Sequence, residues 1–530
     1  MLRRLANVFY LPLLVTNWLS SKFEAAQKSM SRSDGTWWFR PQDARLDFTA
    51  TDRETILEKS RGFERNNPIA NRLADIFEQY TVGPNGLQII PASTDEDWNQ
   101  RHTRSWQRWQ NYCDLTSLFN FATLQSLVAR TWFFDGEVFI LKTYGQETIR
   151  AAGRPSRYPR IQLIEAQRVK TPPDWVDKEG VQIIDGVEID ITPGRKGRPI
   201  GYHVRDLTAD GKETYTRYDA AQIIHVFEPH RPGEYRGRPF LTPVLNILHD
   251  LDDLHKFEMG AAKEAGKVAN IVETATGEMP STADIVRDRV SRTTQDGSGN
   301  NVTQERTTFL QKIFGPSTYA LKKGEKFSQF KSERPSVTTQ AYWDYLTAQV
   351  CAGVGISKLL VFPYSVQGTV TRADLDIAAG FFRSRSGLLA WAFKQIYLWF
   401  TEWAVLNERE SSDPPGAGMD GDKSYRECSY RAPRSVNVDV GRNSQAMLAE
   451  LKAGTRTYDS VYSELGLDWR AELRQRAKEA KFIHQLAKEM SSDGDAITPG
   501  EIADLVGDAI QKQAQADAAA NPPQPLEQAA

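Results

Sequence analysis

The chain has 530 residues, 40% of them apolar and 25% charged, with a formal net charge of −2. That is enough apolar material for a sizeable core and enough length for three or four modules. The near-neutral balance and a sequence pI of about 6.4 exclude a protein that grips nucleic acid over one broad basic face, though not one that lets it slide past.

Met1-Leu-Arg-Arg precedes an apolar run from Val8 to Leu19. Pro12, Asn17 and Trp18 interrupt that run and no A-x-A site follows it, so it reads as an amphipathic segment or arm, not a secretory leader. No other stretch reaches the roughly 18 apolar residues a membrane span requires. Two helices are predicted over Asp52–Tyr80, broken at Asn66-Asn67-Pro68, then a turn at Val82–Leu87 into a strand to Ile90. Asp95–Cys113 reads as a helix with Trp98, Trp106, Trp109 and Cys113 spaced for packing, and Phe121–Phe133 as another. Asp135-Gly136 turns the chain into a strand over Glu137–Tyr144. Further strands are expected at 161–164, 182–184, 187–191, 200–205 and 223–227, punctuated by Pro and Gly, giving an α+β region with a mostly antiparallel sheet.

The most strongly periodic stretch is Pro239–Lys267. Thr242 before Pro243 suggests an N-cap and N1 pair. Apolar residues follow at Val244, Leu245, Leu248, Leu251, Leu254, Phe257, Ala261, Ala262 and Ala265, with Asp250, Asp253, Lys256, Glu264 and Lys267 on the other face. About 25 residues make a rod of roughly 38 Å. Its own apolar side chains cannot offset the entropy of ordering that backbone, so neighbouring helices must.

Beyond the rod, Val268–Glu273 reads as a strand and 274–308, with Asp296-Gly-Ser-Gly-Asn-Asn, as a flexible insertion. Short strands are expected at 308–314, 319–321 and 326–330. Ser336 or Thr338 is expected to cap a second rod over Thr339–Gly353 carrying Tyr342, Tyr345, Leu346, Gln349 and Val350. A Gly-, Pro- and Ser-containing loop spans Gly353–Thr371, and a third, aromatic-rich helix Asp374–Leu406. A Pro/Gly linker covers 411–422, Asn443–Met490 reads as helical, and the Ala-, Gln- and Pro-rich residues from Gln511 on as disordered.

Motifs of known chemistry are lacking. There is no phosphate-binding G-x-x-x-x-G-K-[ST] and no G-x-S-x-G. Cys113, Cys351 and Cys428 have neither CxxC nor Cys/His spacing, which fits a reducing compartment without structural zinc. His225 and Glu228 would fall on opposite faces of a strand, so hydrogen-bonded polar groups are expected there and not a metal site. His249 and His255 do not share a helix face well, and Asp252-Asp253 reads as a solvated face. The arginines between Arg231 and Arg238 are expected to make loop ion pairs. No catalytic residue, metal or cofactor is expected.

An ordered set of segments carries a resemblance. It includes Arg65-Asn-Asn-Pro-Ile-Ala, Tyr80-Thr-Val-Gly-Pro-Asn-Gly-Leu-Gln, Phe134-Asp-Gly-Glu-Val-Phe, Ile161-Gln-Leu-Ile-Glu-Ala-Gln-Arg-Val, Gly197-Arg-Pro-Ile-Gly-Tyr-His-Val and Ile223-Ile-His-Val-Phe-Glu-Pro-His-Arg-Pro-Gly-Glu-Tyr-Arg-Gly. Together, over about residues 50–480, they resemble the lambda-type family of tailed-phage portal proteins. The resemblance implies an α+β portal fold assembled as a ring of about twelve copies at one capsid vertex. Double-stranded DNA would pass through it without sequence preference. It further implies contacts with a terminase large subunit, head-completion or adaptor proteins, and major capsid and scaffold proteins. Assembly would occur in the host cytoplasm, and no membrane is involved.

On that resemblance, residues 1–50 are an N-terminal arm, 51–238 a wing, 239–267 and 337–358 two stem helices, and 268–336 a clip with a flexible insertion at 276–308. Residues 359–372 are a tunnel loop, 373–439 a long wing helix and its return, 440–490 a helical crown, and 491–530 a mostly disordered tail. The candidate tunnel-loop residues are Phe362, Tyr364, Ser365, Val366, Gln367, Gly368 and Thr369; Asp250, Asp253 and Glu264 are candidates for the channel-facing stem. The alternatives are a monomeric nuclease-like DNA-processing enzyme and a capsid-lining protein without a channel.

Overall fold

The computed structural model describes residues 43–148, 155–176, 178–273, 287–295, 301–309, 317–321, 337–363, 368–415, 424–433, 447, 449–464, 467 and 469–490. A short helix α1 (Ala44–Asp47) leads into α2 (Ala50–Asn66) and α3 (Pro68–Thr81). The break between the last two falls where Asn67-Pro68 predicts it. Thr49 and Asp52 close a capping box at the start of α2. Asn67 caps α3, its Oδ1 accepting from the amides of Ile69 at 2.9 Å and Ala70 at 3.0 Å.

Strand β1 (Gln88–Pro91) is followed by α4 (Glu96–Gln110) and α5 (Phe121–Asp135). Trp98, Trp106, Trp109 and Cys113 are all fully buried, as their spacing predicts, and the Trp106 and Trp109 rings stack at 4.9 Å. Gly136 ends α5 in the left-handed region at φ +80°. The chain then runs through β2 (Glu137–Thr148) and β3 (Pro155–Ile164), then β4 (Val181–Ile184), β5 (Val187–Asp190), β6 (Arg198–Leu207), β7 (Glu213–Asp219) and β8 (Ile223–Phe227). These make two antiparallel sheets, of order β3-β2-β8 and β4-β5-β6-β7. β7 is an addition to the expected strands. Its sequence, ETYTRYD, has no buried side chain, so no apolar alternation marks it as an edge strand.

After a 3₁₀ turn at Thr242–Val244 comes α6 (Leu245–Lys267), then β9 (Val268–Glu273). Thr242 is not the N-cap: its hydroxyl donates to the Pro239 carbonyl at 2.6 Å, and the extra turn it forms starts the rod later. The region 276–308 is not simply a flexible insertion. β10 (Arg287–Gln295) and β11 (Asn301–Phe309) pair antiparallel, and β12 (Ser317–Leu321) pairs parallel to β9. A polar two-stranded ribbon gives no hydrophobic signal to read. The expected strand at 326–330 and the Ser336 cap lie outside the described residues.

The second rod, α7 (Val337–Val354), begins before Thr338, which is therefore no cap. The connection that follows is shorter than the expected loop at 359–372. A helical turn α8 (Lys358–Val361) occupies its start, and α9 (Gly368–Asn407) is already helical at Gly368. α9 runs 40 residues, roughly 60 Å. β13 (Cys428–Arg431) returns to pair with β1, which local pattern cannot show because the partners lie so far apart in sequence. The expected helix over 443–490 is interrupted, with α10 (Tyr458–Glu464) and α11 (Trp469–Met490) its main described parts. The tail after 490 is outside the described residues.

The main core joins α3, α4, α5, α9 and the roots of α6 and α7 through Phe77, Trp132, Phe133, Leu248, Val350 and Phe393. A second cluster, around Phe139, Val187, Ile189, Tyr202 and Val204, holds the two sheets together. Burial pushes the Cys113 thiol up to about 12 and those of Cys351 and Cys428 up to about 11, so all three stay protonated at neutral pH.

Candidate functional site

The helix pair α6/α7 carries the residues that sequence reasoning selected. Val244 at the root of α6 meets Gly353 near the end of α7, where a Cβ on Gly353 would stand 2.4 Å from Val244 Cγ1. Farther out, the His255 and Trp343 rings meet edge-on at 5.4 Å. The two rods therefore run antiparallel. Leu245, Leu248 and Leu251 on one side, and Leu346, Val350, Cys351 and Val354 on the other, fill the seam between them and the main core.

Positions 250, 253, 257 and 264 fall on one stripe of α6, away from that seam. Asp250 is exposed and Asp253 half-buried. Asp253 is engaged locally, with His249 at 3.3 Å and Lys256 at 3.2 Å. Asp252 is not a purely solvated acid: it accepts from Asn67 Nδ2 at 3.0 Å, tying α6 to the cap of α3. Glu264 shares the stripe by its place in the helix, and its side chain lies outside the described residues.

The second candidate set is divided. Phe362 is half-buried against the main core, so it anchors its end of the connection. Gly368 and Thr369 belong to the first turn of α9 and not to a loop. Tyr364, Ser365, Val366 and Gln367 lie outside the described residues.

Sequence reasoning missed a set of apolar side chains left in water. Phe257, counted in the apolar stripe of the first rod, is 72% exposed, and Tyr342 and Tyr345 on α7 are 54% and 58% exposed. On α9, Ile377 and Trp391 are 75% and 58% exposed. Isolated exposed apolar residues are ordinary. Here large ones recur on three long helices. For Phe257 the available signal was helix phase, which puts it with Asp250 and Asp253 and away from Leu248.

The segment that leads into α6 is anchored at Arg236 and Gly237 by a buried ionic cluster. Arg236 Nε donates to Glu137 Oε1 at 2.9 Å, and its Nη atoms donate to the carbonyls of Val169 and Ala166 at 3.0 Å each. Glu137 also accepts from the Gly237 amide at 2.8 Å and pairs with His225 Nε2 at 3.0 Å. Arg53 and Arg236 both bind Asp185, Arg236 at 3.1 Å. The expected polar role of His225 and the loop ion pairs near 231–238 are thus present: Arg231 pairs with Asp47 and Arg238 with Glu234. Burial works against ionising Glu137, but the charge of Arg236 and the hydrogen bonds from His225 and Arg236 outweigh it and hold the carboxyl well below the usual range. Among the described residues there is no cluster of His, Cys, Asp and Glu able to hold a metal, and no helix long and apolar enough to cross a membrane.

Residues 31–362 match the family described as phage portal protein, lambda family. The chain belongs to that family. It is 24% identical over 273 residues to the probable portal protein of Halomonas phage phiHAP-1, a match covering 48% of this chain and 50% of that protein. To portal protein B of Escherichia phage lambda it is 21% identical over 367 residues, covering 65% of this chain and 66% of that one. The chain thus spans between half and two thirds of these curated relatives. A chain in the neck of an empty GTA particle, computed with C6 symmetry, aligns with a TM-score of 0.39 at 12% identity, over 79% of this chain and 94% of that chain. A chain in the neck of the native GTA particle, computed with C12 symmetry, aligns with a TM-score of 0.36 at 13% identity and the same coverage.

Proposed function

We propose that this lambda-family chain is the repeating subunit of a ring at one capsid vertex, and that double-stranded DNA passes through the ring during packaging and ejection. Family membership supports the portal role. The observation that carries the ring is the set of exposed aromatic and aliphatic side chains on α6, α7 and α9, which a solitary chain leaves in water. In this reading α6 and α7 are the stem, the β9–β12 region the clip, residues 51–238 the wing, α9 the long wing helix, and the segment between α8 and α9 the tunnel loop. The ring would sit in the virion, dock a terminase large subunit that brings the ATPase, and contact adaptor, capsid and scaffold proteins. Its work is mechanical, without catalysis or cofactor.

The charge pattern fits passage better than capture. A ring repeats every axis-facing side chain, so one lysine per subunit becomes about a dozen phosphate contacts, each steepening the salt dependence by about 0.9. An acidic stripe such as Asp250, Asp253 and Glu264 would instead let phosphate slide. Sedimentation and end-on electron micrographs of the purified protein test the ring. A particle near twelve times 59.8 kDa with an axial hole is expected; a monomer at capsid-assembly concentrations refutes it. Replacing the three acids with lysine should impair packaging or DNA retention in particles. Deleting Gln367–Gly368 should impair packaging while rings still form. Unchanged DNA filling in either variant would remove that element from the path.

A further inference from the structure

We propose that the apolar stripe of α11 is the docking face for a helix formed by residues 498–513 of the same chain, folded back antiparallel upon it. This goes beyond the portal reading and does not depend on it. α11 stands almost wholly in water: every residue from Leu473 to Phe482 is exposed. Near its start, Arg470 and Arg474 reach Glu96 on α4 at 3.6 and 3.7 Å. The helix is not polar all round. Trp469, Leu473, Ala477, Ala480 and Ile483 recur at helical spacing on an arc about 120° wide. Arg476 falls inside that arc, where its long stem adds apolar surface. Arg474, Lys478 and Lys481 follow on one flank of the stripe, and Glu472 and Glu479 on the other. A helix in water owes most of its stability to the packing of such a stripe. From Leu473 to Ala480 the described residues supply none.

The occupant is argued from the chain that follows. Thr498-Pro-Gly-Glu501 has the sequence of a helix start, with Thr at the N-cap, Pro at N1 and Glu at N3. Ile497 and Ile502 stand at the positions of a hydrophobic staple. Ile502, Leu505, Val506, Ala509 and Ile510 then share one helical face, and Glu501, Asp504 and Asp508 fall on its back. Gly507 in its interior makes such a helix too weak to stand alone. Residues 491–497 join it to α11, a connection within the 2–8 residues usual between paired helices. An antiparallel return through them sets Val506 opposite Ile483 and Ala509 opposite Ala480. The same tether favours the chain's own segment over another copy's, because a short linker supplies an effective concentration of about a millimolar. The net charges are opposite as well. Arg474, Arg476, Lys478 and Lys481 outnumber Glu479 on α11, and Glu501, Asp504 and Asp508 outnumber Lys512 on the segment. With the acids on the back, charge adds a general attraction that salt screens, and the apolar faces make the contact.

The test cross-links the full-length protein carrying Ala480→Cys and Ala509→Cys under mild oxidation, read on a gel without reductant. Burial keeps the three native thiols protonated, so the introduced pair reacts first. A fast-migrating, internally linked monomer is expected. Its yield should exceed by about tenfold that of Lys478→Cys with Ala509→Cys, which puts one thiol on the wrong face of α11. Limited trypsin digestion gives a second reading without new cysteines. Val506→Asp puts a charge in the middle of the proposed contact and should speed cleavage after Arg474, Lys478 and Lys481 severalfold. Cleavage after Lys512, beyond residue 490 the one Lys or Arg in the sequence, should rise with it. Cross-links that run only between chains would assign the stripe to a second copy and overturn the proposal. So would equal yields from the two cysteine pairs. If the cysteine variants do not fold, unchanged trypsin rates in Val506→Asp overturn it alone.

Discussion

Glu137→Gln tests the idea that a buried charge cluster anchors the segment leading into α6. Glu137 is fully buried, and Arg236 and Arg53 beside it are 4% and 1% exposed. The substitution keeps the shape but removes the negative charge, leaving two buried guanidinium groups to share Asp185. It also turns an amide N–H toward donors, the Gly237 amide or Arg236. Breaking one partner of a buried pair costs about 3–5 kcal/mol. With a urea slope near 3 kcal/mol/M, the midpoint should fall by roughly 1–1.7 M. Tryptophan fluorescence reports the transition, since Trp98, Trp106, Trp109 and Trp132 are buried in the adjoining core. The pH dependence carries a sign. The folded Glu137 carboxyl titrates below its ordinary value of 4.5. Its stabilisation is therefore complete above that value and is lost as pH falls through the lower folded one. The gap between wild type and variant should stay constant above about pH 5.5 and close below about 4.5. A loss smaller than about 1 kcal/mol, or a gap that does not change with acid, would refute the reasoning.

Other expectations follow from single contacts. A Cβ on Gly237 would sit 2.1 Å from the Gly136 carbonyl oxygen, backbone that cannot swing aside; Gly237→Ala should cost more than about 4 kcal/mol and appear as lost soluble yield. His102 lies buried between Ser411 Oγ at 2.8 Å and Thr401 Oγ1 at 3.0 Å, and burial holds its pKa down to about 4. The unfolded chain therefore binds the extra proton first. Wild-type stability should drop by roughly 3 kcal/mol between pH 6.5 and 4, then level off, and His102→Gln should flatten that part of the curve. Equal acid slopes in the two proteins would contradict it. Phe257→Glu and Tyr345→Glu, both at exposed positions, should change subunit stability by no more than about 0.5 kcal/mol yet lower the assembled fraction in sedimentation. Unaltered assembly would mean that these faces are not covered by a neighbouring subunit.

The long helices were legible because each writes a 3.6-residue period over several turns, and Asn67-Pro68 and Gly136 mark their breaks with local backbone chemistry. The tryptophans of α4 declared their burial by spacing alone. Strand β7, the β10–β11 ribbon and the β1–β13 pair were not legible. Their stabilisation comes from partners across the ladder, not from an apolar pattern of their own. The acids of α6 could be put on one stripe from sequence, since helix geometry fixes that. Helix phase also separates Leu251, which is buried, from Phe257, which falls on the acidic stripe and is exposed. The cluster of Arg53, Glu137, Asp185, His225 and Arg236, by contrast, exists only in three dimensions. No sequence spacing brings those five positions together. The crossing of two glycine backbones, Gly136 and Gly237, does so, and a charge acquires its partner only when the chain has closed around it.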